Sequence, residues 1–267
     1  MAENNTKSVR EKRRGYSQVI WSADKKYGGG LLVILAITAI VFSAESENDV
    51  LTKFGVPEGT PLRCGHFMVA VDGATRGPRW VIEHLRSGEF APIDRDGISF
   101  KSDQRIPREY RARAQDYIEP NYDIGHMAPA ANARTREEVK ATFTLSNAWP
   151  QTHEFNAGIW LTLEKEVRRI ASANESWVVS APIWNSHQSE VMNSIGSSRI
   201  RVPPAFGKAM LSRSGISYTL RSWIIPHTET SRKPLNEYRV ATDEFEERSG
   251  LDVWSQLATA DVLEREK

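Results

Sequence analysis

Three short runs in fixed order constrain this chain more than anything else in it: Tyr122-Asp123-Ile124-Gly125-His126-Met127-Ala128-Pro129, Leu145-Ser146-Asn147-Ala148-Trp149-Pro150-Gln151 and Asn156-Ala157-Gly158-Ile159-Trp160. The first is short enough to be a strand edge, and it carries a histidine near its end. The third opens a helix over Asn156 to Ser172. On it Trp160, Leu163, Val167 and Ile170 recur at a spacing of three or four, giving one buried stripe, while Lys165, Glu166, Arg168 and Arg169 make a wet face. Asn156 falls in the first turn, where unpaired N–H groups and the helix dipole favour an anion. Glu164 lies two turns further along. One strand and one helix thus supply a base, a metal ligand and a carboxylate to orient water.

Order and spacing together resemble the DNA/RNA non-specific endonuclease family, endonuclease G-like proteins built on the ββα-metal (His-Me) finger. The resemblance runs from Phe54 to Trp254. It takes in Phe54-Gly55-Val56-Pro57, Phe67 to Asp72, Arg76 to Trp80, Glu83-His84-Leu85, Asp94-Arg95 and Phe100 to Asp103 before the histidine, and Trp177 to Trp184, Val202 to Lys208 and Trp223 to Pro226 after it. It implies a magnesium-dependent phosphodiesterase acting on DNA and RNA, with Mn²⁺ as a substitute metal and a homodimer as an assembly. His126 takes a proton from the attacking water, Asn156 holds the metal and Glu164 orients a metal-bound water. Arg95 aligns with an arginine that grips phosphate. Asn147 and Asp123 support the site from outside the first shell of ligands.

Two positions depart from the family pattern: Ala181 replaces the glycine of the relatives' Ser-Gly-Pro at Ser180-Ala181-Pro182, a smaller change that adjusts packing, and Ile124 is the larger departure. Relatives carry arginine between the aspartate and glycine of the histidine motif, where this chain has Ile124, so a planar charged fork toward the phosphate is missing. Two other readings therefore stand beside the nuclease: a weak or inactive descendant, membrane-tethered, that binds nucleic acid or protein, and a phosphodiesterase for some other phosphate ester.

Charge divides the chain unevenly. Residues 1–44 hold seven basic and three acidic side chains, a net of +4, whereas the whole chain is +1, so the remainder is −3. Any affinity of the catalytic part for nucleic acid must come from a local groove. Residues 1–26 read as a basic cytoplasmic tail or signal n-region, 27–44 as a signal peptide or single membrane anchor, 45–53 as a linker and 54–267 as the endonuclease domain. Basic residues before the apolar run imply export, to the periplasm or the exterior, with possible anchoring in the inner membrane. Cys64 is the sole cysteine, which excludes an intrachain disulfide and a thiolate metal cluster.

The remaining elements are short. Phe67 to Val71 reads as a strand, Pro78 to Arg86 as a short helix after a Gly77-Pro78 turn, Arg134 to Thr142 as a surface excursion and Phe143 to Asn147 as a strand. Trp177 to Trp184, Ile200 to Pro203 and Tyr218 to Ile225 read as strands, and Thr242 to Gly250 as a helix closed by its glycine. The mixture implies an α+β fold with a mostly antiparallel central sheet flanked by helices.

Overall fold

Alternation of buried side chains decides the largest element. In the computed structural model, which describes residues 51–184, 193–228, 233–257 and 262–265, strands Pro61–Cys64 (β1), Phe67–Asp72 (β2) and Gly77–Leu85 (β3) form an antiparallel meander. The expected helix over Pro78 to Arg86 is β3. Gly77-Pro78 imitates a helix start, but Trp80 and Ile82 pack on one face and Val81 and Leu85 on the other, a period of two.

Asp123–His126 (β4) pairs antiparallel with Ala148–Gln151 (β5), Gly125 lying opposite Trp149. Between them is a seven-residue helix, Arg136–Thr142 (α1), where a surface excursion was expected. Thr135 caps it by accepting from the Glu138 N–H at 3.1 Å, and Val139 anchors it against Ala130 and Ala133. The strand expected over Phe143 to Asn147 begins later, at Ala148; Leu145–Asn147 is a 3₁₀ turn.

The helix after β5 has a wide entrance. Phe155–Trp160 is a π-helical turn in which Gly158 leaves helical geometry (φ −100°, ψ −108°), and a regular α-helix, Leu161–Ala173 (α2), follows. The expected stripe is the buried one: Trp160, Leu163, Val167 and Ile170 enter the core, each burial contributing about 1.5–3 kcal/mol. Hairpin and helix together form a ββα unit.

Ser176–Ile183 (β6) continues the main sheet. A small pair, Ser194–Ile195 (β7) with Ile200–Arg201 (β8), precedes two long strands, Ala205–Ser214 (β9) and Ser217–Pro226 (β10). Arg239–Val240 (β11), helix Thr242–Ser249 (α3) and Val262–Arg265 (β12) complete the order. Gly250 ends α3 in the left-handed conformation (φ 67°), as its sequence position implied. The sheet runs β1-β2-β3-β6-β9-β10-β11, with β12 also on β10; every pairing is antiparallel except β10 with β12. The fold is α+β, with a mostly antiparallel sheet.

The sheet has an apolar layer on each side. One is built against the ββα unit, including Phe67, Val81, Trp149, Trp160, Val178 and Phe206; the other includes Phe54, Trp80, Trp177, Val179 and Phe245. The expectations for residues 1–26 and 27–44, and for the linker up to residue 50, lie outside the described residues.

Candidate functional site

The antiparallel pairing of β4 with β5 places His126 opposite Ala148 at the end of its strand. The packing there is close: a Cβ on Gly125 would meet the Gln151 side chain at 2.1 Å, so any larger residue beside the histidine would have to displace that side chain. The imidazole is half-buried between two rings, Phe100 at 4.6 Å and Phe143 at 4.9 Å between centroids, and its Nε2 is buried with no hydrogen-bond partner. Burial, and then the charge of Arg95, push its pKa down to about 3, so the ring is neutral at physiological pH.

The backbone around His126 is fixed from several directions. Trp160 Nε1 donates to the His126 carbonyl at 3.1 Å. Lys208 Nζ donates to the Met127 carbonyl at 2.8 Å. Asn147, fully buried, accepts from the Ala128 N–H at 2.9 Å and donates to the carbonyls of Ala128 and Thr142, both at 3.0 Å. These bonds tie the backbone after His126 to the end of α1.

Asn156 sits half-buried in the π turn. Its Nδ2 donates to Asp123 Oδ2 at 3.0 Å, and the same oxygen lies 3.0 Å from His153 Nδ1. A carboxylate only accepts, so the amide must present its nitrogen to Asp123, leaving Oδ1 as the atom able to bind a cation. Glu164, on the first turn of α2, is buried. Burial pushes its pKa up to about 7 against the opposing charges of Lys208, Arg168 and Arg95. Arg95 itself lies on an exposed turn, within electrostatic reach of both His126 and Glu164.

Three residues with no role in the sequence reading belong to this neighbourhood. Arg168 was expected on the wet face of α2. It is half-buried instead, donating to Asn132 Oδ1 at 3.1 Å, and its position four residues after Glu164 was the available signal. Glu83 is wholly buried on β3, accepts from Asn132 Nδ2 at 2.8 Å, and is pushed by burial up to about 7, with Lys208 and Asn132 opposing. Lys208, 1% exposed on β9, also donates to Ser180 Oγ at 2.6 Å. For both, the readable signal was a charged residue inside an apolar strand. Ile124 is half-buried on β4 and packs against the apolar layer beneath the site.

Comparison with known proteins agrees with this architecture. Nuclease EXOG, mitochondrial, of Xenopus laevis is 35% identical over 80% of this chain and 64% of its own length, and that of Homo sapiens 33% identical over 85% and 66%. The chain thus spans slightly less than two thirds of these relatives. Endonuclease G, mitochondrial, of Bos taurus is 30% identical over 75% of the chain and 71% of that protein. Among solved structures, a chain of the EndoG/EndoGI complex, a study of EndoG inhibition, superposes with a TM-score of 0.75 at 28% identity, covering 79% of this chain and 93% of that one.

These relatives correct one expectation. Export to the periplasm or exterior is not supported, because the similar nucleases are mitochondrial; among the described residues, moreover, no helix is long and apolar enough to cross a membrane. A basic leader before an apolar run is shared by several kinds of targeting segment and does not by itself specify export. The sequence model of the DNA/RNA non-specific endonucleases matches residues 47–260, and the chain belongs to that family.

Proposed function

We propose that the chain is a magnesium-dependent endonuclease that hydrolyses phosphodiester bonds in DNA and RNA, with His126 as general base. The observation that carries this reading is the hydrogen bond from Asn156 Nδ2 to Asp123, which commits the amide nitrogen and leaves its oxygen to take a cation, in a chain whose motif histidine is neutral. Among the described residues no cluster of three or more His, Cys, Asp or Glu side chains could cage a metal. A single amide oxygen with few protein ligands suits Mg²⁺, which keeps several waters and takes oxygen from substrate phosphate; Mn²⁺ can substitute.

When bound, the ion supplies Lewis-acid stabilisation of charge on the phosphate and the leaving oxygen. The chain's own residues do the rest. His126, held against Phe100 and Phe143, accepts the proton of the attacking water. A phosphate arriving beside Arg95 offsets the guanidinium charge that lowers the imidazole pKa, so the base strengthens as substrate binds. Glu164, ionised above about pH 7, accepts a hydrogen bond from a water and orients it. Arg95 and Arg168 place positive charge around the phosphate.

Cleavage of plasmid DNA and of RNA is measured with Mg²⁺, with chelator, and in His126→Ala. Cleavage that chelator abolishes and His126→Ala lacks, with nucleic-acid binding retained, is the expected result; turnover by His126→Ala removes the histidine from the mechanism. Ile124 favours one second reading, a silent descendant that binds nucleic acid. Binding without cleavage by the wild type would establish that reading instead.

A further inference from the structure

We infer that Lys208 is a positioning residue for this reaction, holding from beneath the site the backbone that carries His126. The inference rests on the reading of His126 as the base. Lys208 Nζ reaches across from β9 to the Met127 carbonyl at 2.8 Å and is anchored by Ser180 Oγ at 2.6 Å, its register partner on β6. It lies 4.7 Å from the centre of the Trp160 ring, and Trp160 in turn holds the His126 carbonyl at 3.1 Å. Two successive carbonyls, at the base and just after it, are therefore held by side chains that support each other. A general base works only within a narrow range of distance and angle to its water, so a donor fixing its backbone acts on turnover rather than on substrate affinity.

A simpler role competes: a buried ammonium that merely offsets the charge of the buried carboxyls Glu83 and, secondarily, Glu164. Replacing a buried pair together is often harmless to stability, whereas removing one partner is not. The two roles therefore separate in a double variant. Cleavage kinetics at pH 8 and thermal melts are measured for Lys208→Met, Glu83→Gln and the two combined. Lys208→Met alone lowers Tm, and adding Glu83→Gln restores it. The combined variant is expected to keep its KM and to lose about 10–100-fold in kcat, the usual effect of removing an outer support. Recovery of wild-type kcat together with Tm overturns the inference, because Lys208 then only balances Glu83.

Ser180→Ala supplies a variant with no change of charge. It is expected to lower kcat about threefold to tenfold through the loosened lysine, with KM unchanged and Tm lowered by the lost buried hydrogen bond, and an unaltered kcat again overturns the inference. Wild type and His126→Ala are assayed alongside. An inactive wild type, or an active His126→Ala, defeats the reading of the base itself; a His126-dependent wild type with unaffected Lys208 and Ser180 variants defeats only the role of Lys208.

Discussion

The two faces of the main sheet obey the same alternation, yet they differ at three neighbouring positions. Facing away from the ββα unit, Trp80 and Ile82 of β3, Trp177, Val179 and Ala181 of β6, and Ala209 and Leu211 of β9 form a mainly apolar layer under Phe54, Phe245 and Trp254, with His84 and Ser222 as its polar members. Facing the unit, Val81, Val178, Phe206 and Met210 do the same, but Glu83, Ser180 and Lys208 interrupt them on three neighbouring strands. Apolar side chains of similar volume would be as stable or more so, since burying charge costs several kcal/mol per ion before pairing returns it. Under the proposed role of Lys208, these three side chains support the site above them rather than hold the sheet together.

Substitutions on the two faces should therefore fail in different ways. The largest effect is expected at the site: His126→Ala lowers kcat by about 10²–10⁴-fold while the melting curve barely moves. A variant that keeps more than about a tenth of the rate breaks the contrast. On the opposite face, Ile82→Ala costs about 2–5 kcal/mol in chemical denaturation but leaves kcat unchanged well below the melt. A parallel loss of kcat would show that the faces are not independent.

Smaller effects sharpen the picture. Asp123→Ala frees the Asn156 amide to rotate, and calorimetric titration should show Mg²⁺ affinity weakened about 10–100-fold; an unchanged midpoint contradicts the orienting role. Ile124→Arg should raise cleavage about tenfold, short of the ~10²-fold of a fully aligned donor, because part of the new side chain must leave an apolar contact. A stable Ile124→Arg protein without a gain would mean that the missing guanidinium does not limit turnover. The least effect concerns pH. Glu83 is raised in the folded state to about 7 from an ordinary 4.5, so its contribution is full below pH 4.5 and is lost as pH rises through about 7. The stability of wild type relative to Glu83→Gln should then decline between pH 5 and 8, and superimposable pH profiles would refute it.

Local pattern made much of this molecule legible. The stripe of α2, the strand character around β2, β6 and β10, and the glycine closing α3 all follow from spacing or from backbone freedom, properties that a short window contains. That His126 ends a strand and Asn156 opens the helical segment was legible through the order of the motifs around them. What was lost depended on distant partners. Gly77-Pro78 looks like a helix start until β2 and β6 take up both sides of the following strand. Lys208 and Met127 stand 81 positions apart, and no periodicity relates them. Arg168 seemed to belong to the wet face because the partner that draws it inward, Asn132, lies 36 residues earlier.

The wide turn at Phe155–Trp160 acts as a phase corrector. Asn156 and Glu164 are eight residues apart, which on an uninterrupted α-helix would leave their side chains about 80° out of line. A turn that takes in one extra residue removes roughly 100° of that rotation and returns the two to nearly the same side. The conformation of this segment is consequently under tighter constraint than its length: drawing all of its residues into regular helix would rotate the carboxylate roughly 100° away from the amide, even with every functional side chain retained, whereas deleting a single residue near Gly158 would leave the two in phase.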